Sequence, residues 1–494
     1  MLVATLLAVA TLCLHLLTNG NYGYHRDELY YLASGRHPAA GYVDYPAITP
    51  LLAGVESLLL GNSPWSLRLL PSLVGANLVL LVTLVARELG GRRTALVLTA
   101  LATAISPVLL GSNWLFQTVT FDQLWWIVAL LVFARMLRTN DVRLWVLIGV
   151  VLGVGLETKL TIFGLGVGLA AALLVTRLRS HLRTPWPWVG LLLATALVAP
   201  NLVWQQLNGW PTLEFLRTHS DVIQSGVQGG FAINFDSGGP IAFLALQPVL
   251  IGPFTLPLWF MGWYFLFARP AYRPLGVAAL VTFLLFLAVG KAYYPGPLIP
   301  VLVAAGCVQL ERVASRFAWR RAGLLAGGAM LLQAAVMLPI GLPLVPQASL
   351  HRFGLDQFRK DFADTVGWPE LVVQVAAAYQ HISPAEQRDT VILAHNYGEA
   401  GAIDLYGPRL GLPNALSPHL TYWFWKPPHL QVTNVITVGF DEAGVRRACA
   451  DATLVGTIQA VDNVLNEEVG RPIMLCRRPI VPLDQSWPEL RSFA

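Results

Sequence analysis

The residues best equipped for chemistry lie in one short segment. It reads Tyr22-Gly-Tyr-His-Arg-Asp-Glu-Leu-Tyr-Tyr31 and is followed by Gly41-Tyr-Val-Asp-Tyr-Pro46. A helix over 24–33 puts Tyr24, Tyr31 and one of Asp27 or Glu28 on one face. Consecutive helical positions point about 100° apart, so one carboxylate can enter a cavity while the other bonds to the scaffold. An acid at a membrane boundary, walled by aromatic rings, is partly desolvated, which raises its pKa and makes it a better general base. An interfacial aromatic belt would account for the tyrosines. It does not account for Arg26-Asp27-Glu28 beside the end of an apolar run.

The elements around this segment are set by composition. The chain has 494 residues, 55% hydrophobic and 12% charged, against roughly 25% charged in soluble domains. Each charge inside hydrocarbon costs about 2.5 kcal/mol or more, so a chain threaded repeatedly through a bilayer sheds them. The net charge of +5 is then a topology signal and not a nucleic-acid one. Spans are predicted near 2–18, 67–87, 94–111, 120–137, 144–156, 160–176, 187–204, 241–267, 275–290, 297–312 and 322–342. The fifth and sixth are the weakest and meet at Glu157-Thr158-Lys159. Residues 45–60, with Pro46, Pro50 and Glu56, read as a short re-entrant or interfacial helix.

Loop charges orient the chain. Arg87, Arg92, Arg93, Arg135, Arg138, Arg143, Arg177, Arg179, Arg183, Arg269, Arg273, Arg312, Arg316, Arg320 and Arg321 fall on one side. The other side holds Arg26, Arg36, Arg68, Lys159, Arg217 and Lys291. The basic side is expected in the cytoplasm. An odd number of spans, about eleven, then leaves the N-terminus inside and residues 343–494 outside. The first span has no Ala-x-Ala cleavage site and reads as an anchor. Acids gather on the outer side: Asp27, Glu28, Asp44, Asp122, Glu157, Glu214, Asp221 and Asp236. Orientation does not require this, so it marks a site.

Two domains follow: a transmembrane domain over 1–342, with outer loops 19–66 and 205–240, and an extracytoplasmic α/β domain over 343–494. Thr390–His395 and Val432–Val438 read as buried strands, and Asn396-Tyr397-Gly398 as a turn into a helix over 399–406. Cys13 and Cys307 sit in apolar runs as small core residues. Cys449 and Cys476 can pair if their region lies outside the cell; paired and free states both stay open.

The stretch "HRDELYYLASGRH…GYVDYP" resembles the first-loop signature of bacterial dolichyl-phosphate-mannose-protein mannosyltransferase-like glycosyltransferases. These belong to the glycosyltransferase C superfamily, with the protein O-mannosyltransferases and lipid A aminoarabinose transferases. Further similar stretches follow in order: "LRLLPSLVGA", "VARELGG", "GLETKLT", "PNLVWQQLNGWPTLEFL", "GKAYYPGPLIPVL" and "ILAHNYGEAGAIDLYG". The resemblance implies an inverting hexosyl- or pentosyltransferase of the cell envelope. It would move a sugar from a polyprenyl-phosphate carrier to an acceptor hydroxyl of a glycan, lipid or protein on the outer face. The first-loop acid acts as base in that superfamily, and Asp27 matches it, with Glu28 beside it.

Transfer from a lipid phosphate needs one base and cationic stabilisation of the departing phosphate. A single displacement inverts the anomeric carbon, unlike two-carboxylate glycoside hydrolysis. Substrate-binding candidates are Tyr24, Arg26, Tyr31, Asp44, Arg68, Asp122, Lys159, Lys291, Tyr293 and Tyr294. Among them Arg68, Lys159 and Lys291 are the phosphate ligands to test, the competing role of Lys159 being an ion pair with Glu157 or Asp122. Asp122, in "TVTFDQLWW", orients the acceptor or pairs with Lys159. Asp44 alternatively caps the helix that follows it. His25 and His37 read as structural. The loop 205–240, with Gln205, Asn208, Glu214 and its glycines, covers the site. "HNYGEAGAIDLYG" lacks G-x-G-x-x-G and is assigned to acceptor recognition. No cofactor is expected, a divalent metal being left open.

Two other functions compete. A lipid or sugar transporter or flippase predicts ionisable groups at the bilayer midplane and repeated halves. The charges here gather at outer helix ends. A non-catalytic membrane scaffold of the same fold would have no use for Asp27-Glu28.

Overall fold

The computed structural model of the chain describes residues 1–224, 239–289, 291–317, 321–428 and 432–493. Among the described residues all eleven segments read as spans are largely helical, with 94–111 divided into Arg93–Ala104 and Pro107–Asn113, which meet at 47°. Five described helices are long and apolar enough to cross a membrane: Pro64–Glu88, Thr118–Thr139, Trp186–Leu207, Leu298–Arg316 and Ala322–Gly341. The number rises to eight if each of three bent helix pairs is one span. One of those pairs corrects the span expected over 241–267. Gly239–Ile251 and Leu256–Ala268 meet at 106°, so they are two helices. Gly252 adopts φ +90° between them, and Pro253 and Pro257 follow; neither proline can donate a helical hydrogen bond.

The helices that position the site are α1 (Leu2–Thr18), α2 (Arg26–Arg36), α3 (Ile48–Leu60), α4 (Thr118–Thr139) and α5 (Tyr397–Tyr406). The first loop is thus built of α2 and α3. Leu51, Val55, Leu58, Leu59 and Leu60 of α3 are exposed. Cys13 corrects another expectation: it lies on the exposed side of α1, while Cys307 is buried.

Beyond Gly341 the chain runs through short helical turns into a five-stranded sheet of order β2-β1-β3-β5-β4. The strands are β1 (Thr390–Ala394), β2 (Ala415–Leu416), β3 (Asn434–Val438), β4 (Cys449–Thr457) and β5 (Pro472–Pro479). β1 runs parallel to β2 and β3, while β5 is antiparallel to both β3 and β4. Ile392, Ile436 and Leu475 come into register and face a core continuous with α2. Their neighbours Leu393, Val435, Met474 and Cys476 point to the opposite side and pack on Val445 and Trp487. Cys449 and Cys476 are disulfide-bonded across β4 and β5.

α2 is held between α3 and α5 by two close approaches. A Cβ on Gly35 would lie 2.7 Å from the Gly54 backbone nitrogen, and a Cβ on Gly401 would lie 2.9–3.0 Å from Leu29. Only glycine permits either contact. The C-terminal domain therefore rests directly on the helix that carries Asp27 and Glu28.

Candidate active site

The cap of α2 separates the paired acids. His25 is extended (φ −74°, ψ 150°), and its Nδ1 accepts the Asp27 N–H. Glu28 closes the capping box by accepting the His25 N–H at 2.8 Å. The 100° step then sends the two carboxylates in different directions.

Glu28 turns inward and is fully buried. Its Oε1 accepts from Arg68 Nε at 2.9 Å and from the Phe116 N–H at 2.9 Å. Its Oε2 accepts from Arg68 Nη2 at 2.7 Å. Arg68, also fully buried, donates further to the carbonyls of Asn19, Tyr22 and Gly23 and lies over Trp114. All five guanidinium donors are used. Glu28 and Arg68 were expected at the substrate. Instead they stitch the end of α1, the first loop and the 114–116 turn together.

Asp27 points the other way, with its side chain 35% exposed. Its Oδ1 accepts the Tyr397 hydroxyl at 2.7 Å, a contact between the first loop and the C-terminal domain. Tyr397 stacks on Tyr30 with ring centroids 4.6 Å apart. Tyr30 in turn donates to Asp44 at 3.0 Å and accepts the Thr421 N–H. Asp44 does not cap α3: the N-cap is Ala47, with no side-chain bond. It faces Asp27 and Lys159 instead. Burial pushes its carboxyl up to about 7, opposed by the Tyr30 hydrogen bond and aided by the charge on Asp27. Tyr31, one turn after Asp27, is buried, hydrogen-bonds Thr118 and feels both carboxylates.

The cationic side lies across Thr118. Lys159 Nζ donates to Thr118 Oγ1 at 3.3 Å and sits 5.9 Å from the Tyr294 ring centroid. Lys291 Nζ approaches the same ring at 5.4 Å, and Tyr293 lies 5.8 Å from Lys159. Two ammonium groups therefore converge on Tyr294. The 291–297 turn is tight: the Gly296 N–H bonds the Tyr293 carbonyl, and Gln247 donates to Ala292. The structure thus joins Asp27, Tyr31, Asp44, Thr118, Lys159, Tyr293, Tyr294 and Lys291 into one neighbourhood.

Other candidates are placed elsewhere. Asp122 uses both oxygens, accepting from Trp126 Nε1 at 3.0 Å and from the Thr161 hydroxyl at 2.6 Å; the charge of Lys159 acts on it. Glu157 bonds Asn201. Tyr24 precedes the helix and does not share its face; it is buried beside Tyr406. Arg26 pairs with Glu467 at 2.9 Å and lies over Tyr397, clamping the C-terminal domain instead of facing a substrate. His37 stacks on Trp425. In the loop 205–240, Gln205 donates to the Tyr42 carbonyl and Glu214 pairs with Arg491. The glycine-rich part with Asp236 lies at 225–238, outside the described residues.

Sequence reasoning missed Tyr30, Thr118 and Tyr397 as site residues. Tyr397 had a signal, a tyrosine at the first helical position after a buried strand, but its partner is 370 residues away.

A bundle of apolar helices thus carries an acid-bearing first loop, with the C-terminal α/β domain seated upon it. Residues 44–204 match the family described as dolichyl-phosphate-mannose-protein mannosyltransferase, in agreement with the resemblance read from the first loop. The structure is similar to that of ArnT from Cupriavidus metallidurans in the apo state, with a TM-score of 0.58 at 16% identity over 95% of this chain and 97% of that one. ArnT bound to undecaprenyl phosphate gives 0.59 with the same identity and coverage. Arabinofuranosyltransferase AftD from Mycobacteria gives 0.52 at 15% identity, over 96% of this chain and 40% of that one. No curated protein sequence matches significantly.

Proposed function

We propose that the chain is an inverting glycosyltransferase that moves a sugar from a polyprenyl phosphate to an acceptor hydroxyl. The observation that carries this is the meeting of a partly open Asp27 carboxylate with the Lys159–Tyr294–Lys291 cluster, through Asp44, Tyr31 and Thr118. Asp27 takes the proton of the acceptor hydroxyl as its oxygen attacks the anomeric carbon. The bond from that carbon to the phosphate oxygen breaks, and the electron pair leaves with the lipid phosphate. Lys159 and Lys291 balance the charge that develops there. Tyr397 holds Asp27 in orientation through its hydroxyl.

The donor class is supported by the undecaprenyl phosphate bound to the similarly folded ArnT. The reaction as written draws its positive charge from the two lysines and calls on no cofactor or metal. We place the site on the outer face, with about eleven membrane crossings, a cytoplasmic N-terminus and the outer domain beyond the membrane. The Cys449–Cys476 bond supports that orientation, since disulfides persist in oxidising compartments.

The test is to incubate the purified protein with a panel of polyprenyl-phosphate sugars and identify products by mass spectrometry. Transfer abolished by Asp27→Asn, with donor binding kept, is the expected result. Donor moving across proteoliposomes without any glycosylated product would instead establish a transporter.

A further inference from the structure

On the opposite side of the helical bundle a cavity of about 840 Å³ opens between three helix ends, lined by Gly90, Arg92, Arg93, Val97, Arg312 and Leu324 among others. Its rim is basic. Among the described residues, the side chains of Arg92 and Arg93 make no hydrogen bond or ion pair, and both are exposed. Arg312 reaches the Leu89 carbonyl only at 3.4 Å and rests its guanidinium 4.9 Å from the Phe265 ring.

The neighbouring acids are already committed. Glu311 accepts the backbone N–H groups of Arg92, Thr94 and Ala95 at 2.7, 2.8 and 3.1 Å. It thereby caps the Arg93–Ala104 helix, so the helix end is not the vacant anion site. Glu88 pairs with Arg135 and Arg138. One wall of the cavity is apolar. It continues along Leu324 and Leu325, which are 77% and 73% exposed on a helix long and apolar enough to span a membrane.

We propose that this cavity binds the headgroup of an anionic diacyl phospholipid. Its phosphate would lie against Arg92, Arg93 and Arg312, and an acyl chain would follow the Leu324–Leu325 wall into the bilayer. Basic pockets between helices at a membrane surface recognise such headgroups, and guanidinium forks match phosphate geometry. The site is independent of the transfer reaction.

The test uses the full chain in mixed micelles or nanodiscs, with lipid adducts counted by native mass spectrometry. Phosphatidylglycerol should be retained over phosphatidylcholine. Arg92→Gln with Arg93→Gln should weaken retention on the order of twenty-five-fold, taking each surface guanidinium at roughly fivefold. The corresponding double lysine variant, which keeps the charge, should retain more of the lipid than the glutamine variant. Equal retention of both lipids by the wild type would overturn the proposal. So would undiminished phosphatidylglycerol binding by the glutamine variant. Displacement of phosphatidylglycerol by an equal amount of polyprenyl phosphate would overturn it too, by assigning the cavity to the carrier.

Discussion

The Tyr397 hydroxyl donates to Asp27 Oδ1 at 2.7 Å, so a residue of the C-terminal domain holds the acid of the first loop. The bond fixes one carboxylate oxygen, and in the proposed reaction the other takes the acceptor's proton. Asp27→Asn should lower transfer about 10²–10⁴-fold, the usual contribution of a general base. Tyr397→Phe should lower kcat about tenfold with little change in KM, because it disturbs orientation and not binding. Steady-state kinetics on both variants checks this, and a Tyr397→Phe loss confined to KM would contradict it.

Lys159 and Lys291 should act together on the lipid phosphate. Lys291→Gln and Lys159→Gln are each expected to raise the donor KM by roughly tenfold or more, the loss of one charge-assisted hydrogen bond. The acceptor KM should stay nearly constant. Titration with donor analogues at fixed acceptor measures both.

Glu28 and Arg68 should matter to stability before activity. Removing one partner strands a buried charge and costs about 3–5 kcal/mol. Arg68→Gln should therefore unfold well below the wild type in detergent thermal-shift experiments. Glu28→Gln should do the same, even when donor is present.

Asp44 predicts a pH effect. Its carboxyl is raised to about 7, above an ordinary value near 3.9. The folded protein thus keeps a proton that the unfolded chain has already lost. The associated stability is full below about pH 4 and disappears as pH rises toward 7. Asp44→Asn should be more stable than the wild type at pH 8, and the difference should fade at pH 4. The same variant should remove an inflection near pH 7 from the kcat/KM profile.

Gly401 tests the seating of the outer domain. Gly401→Val places methyl groups where the Leu29 backbone already lies. The α2–α5 contact should open, limited proteolysis near residue 343 should accelerate, and transfer should fall toward the Tyr397→Phe level or below. The membrane helices should retain their circular dichroism.

Much of this was readable along the chain. Hydropathy placed most of the apolar helices, because a residue's preference for hydrocarbon acts locally, but it ran the two helices on either side of Gly252 into one span. Short buried apolar runs placed β1 and β3, and a fixed helical step separated Asp27 from Glu28 before any coordinates. The break at Gly252 was also legible, as a glycine before a proline, though the apolar run hid it. What the three-dimensional structure decided was pairing. Glu28 and Arg68 find each other across 40 residues, and Asp27 and Tyr397 across 370. Asp44 faces its neighbouring charges and not the helix end it precedes. Such choices depend on which buried polar groups can satisfy one another once the helices pack, and hydropathy and periodicity carry no record of that packing.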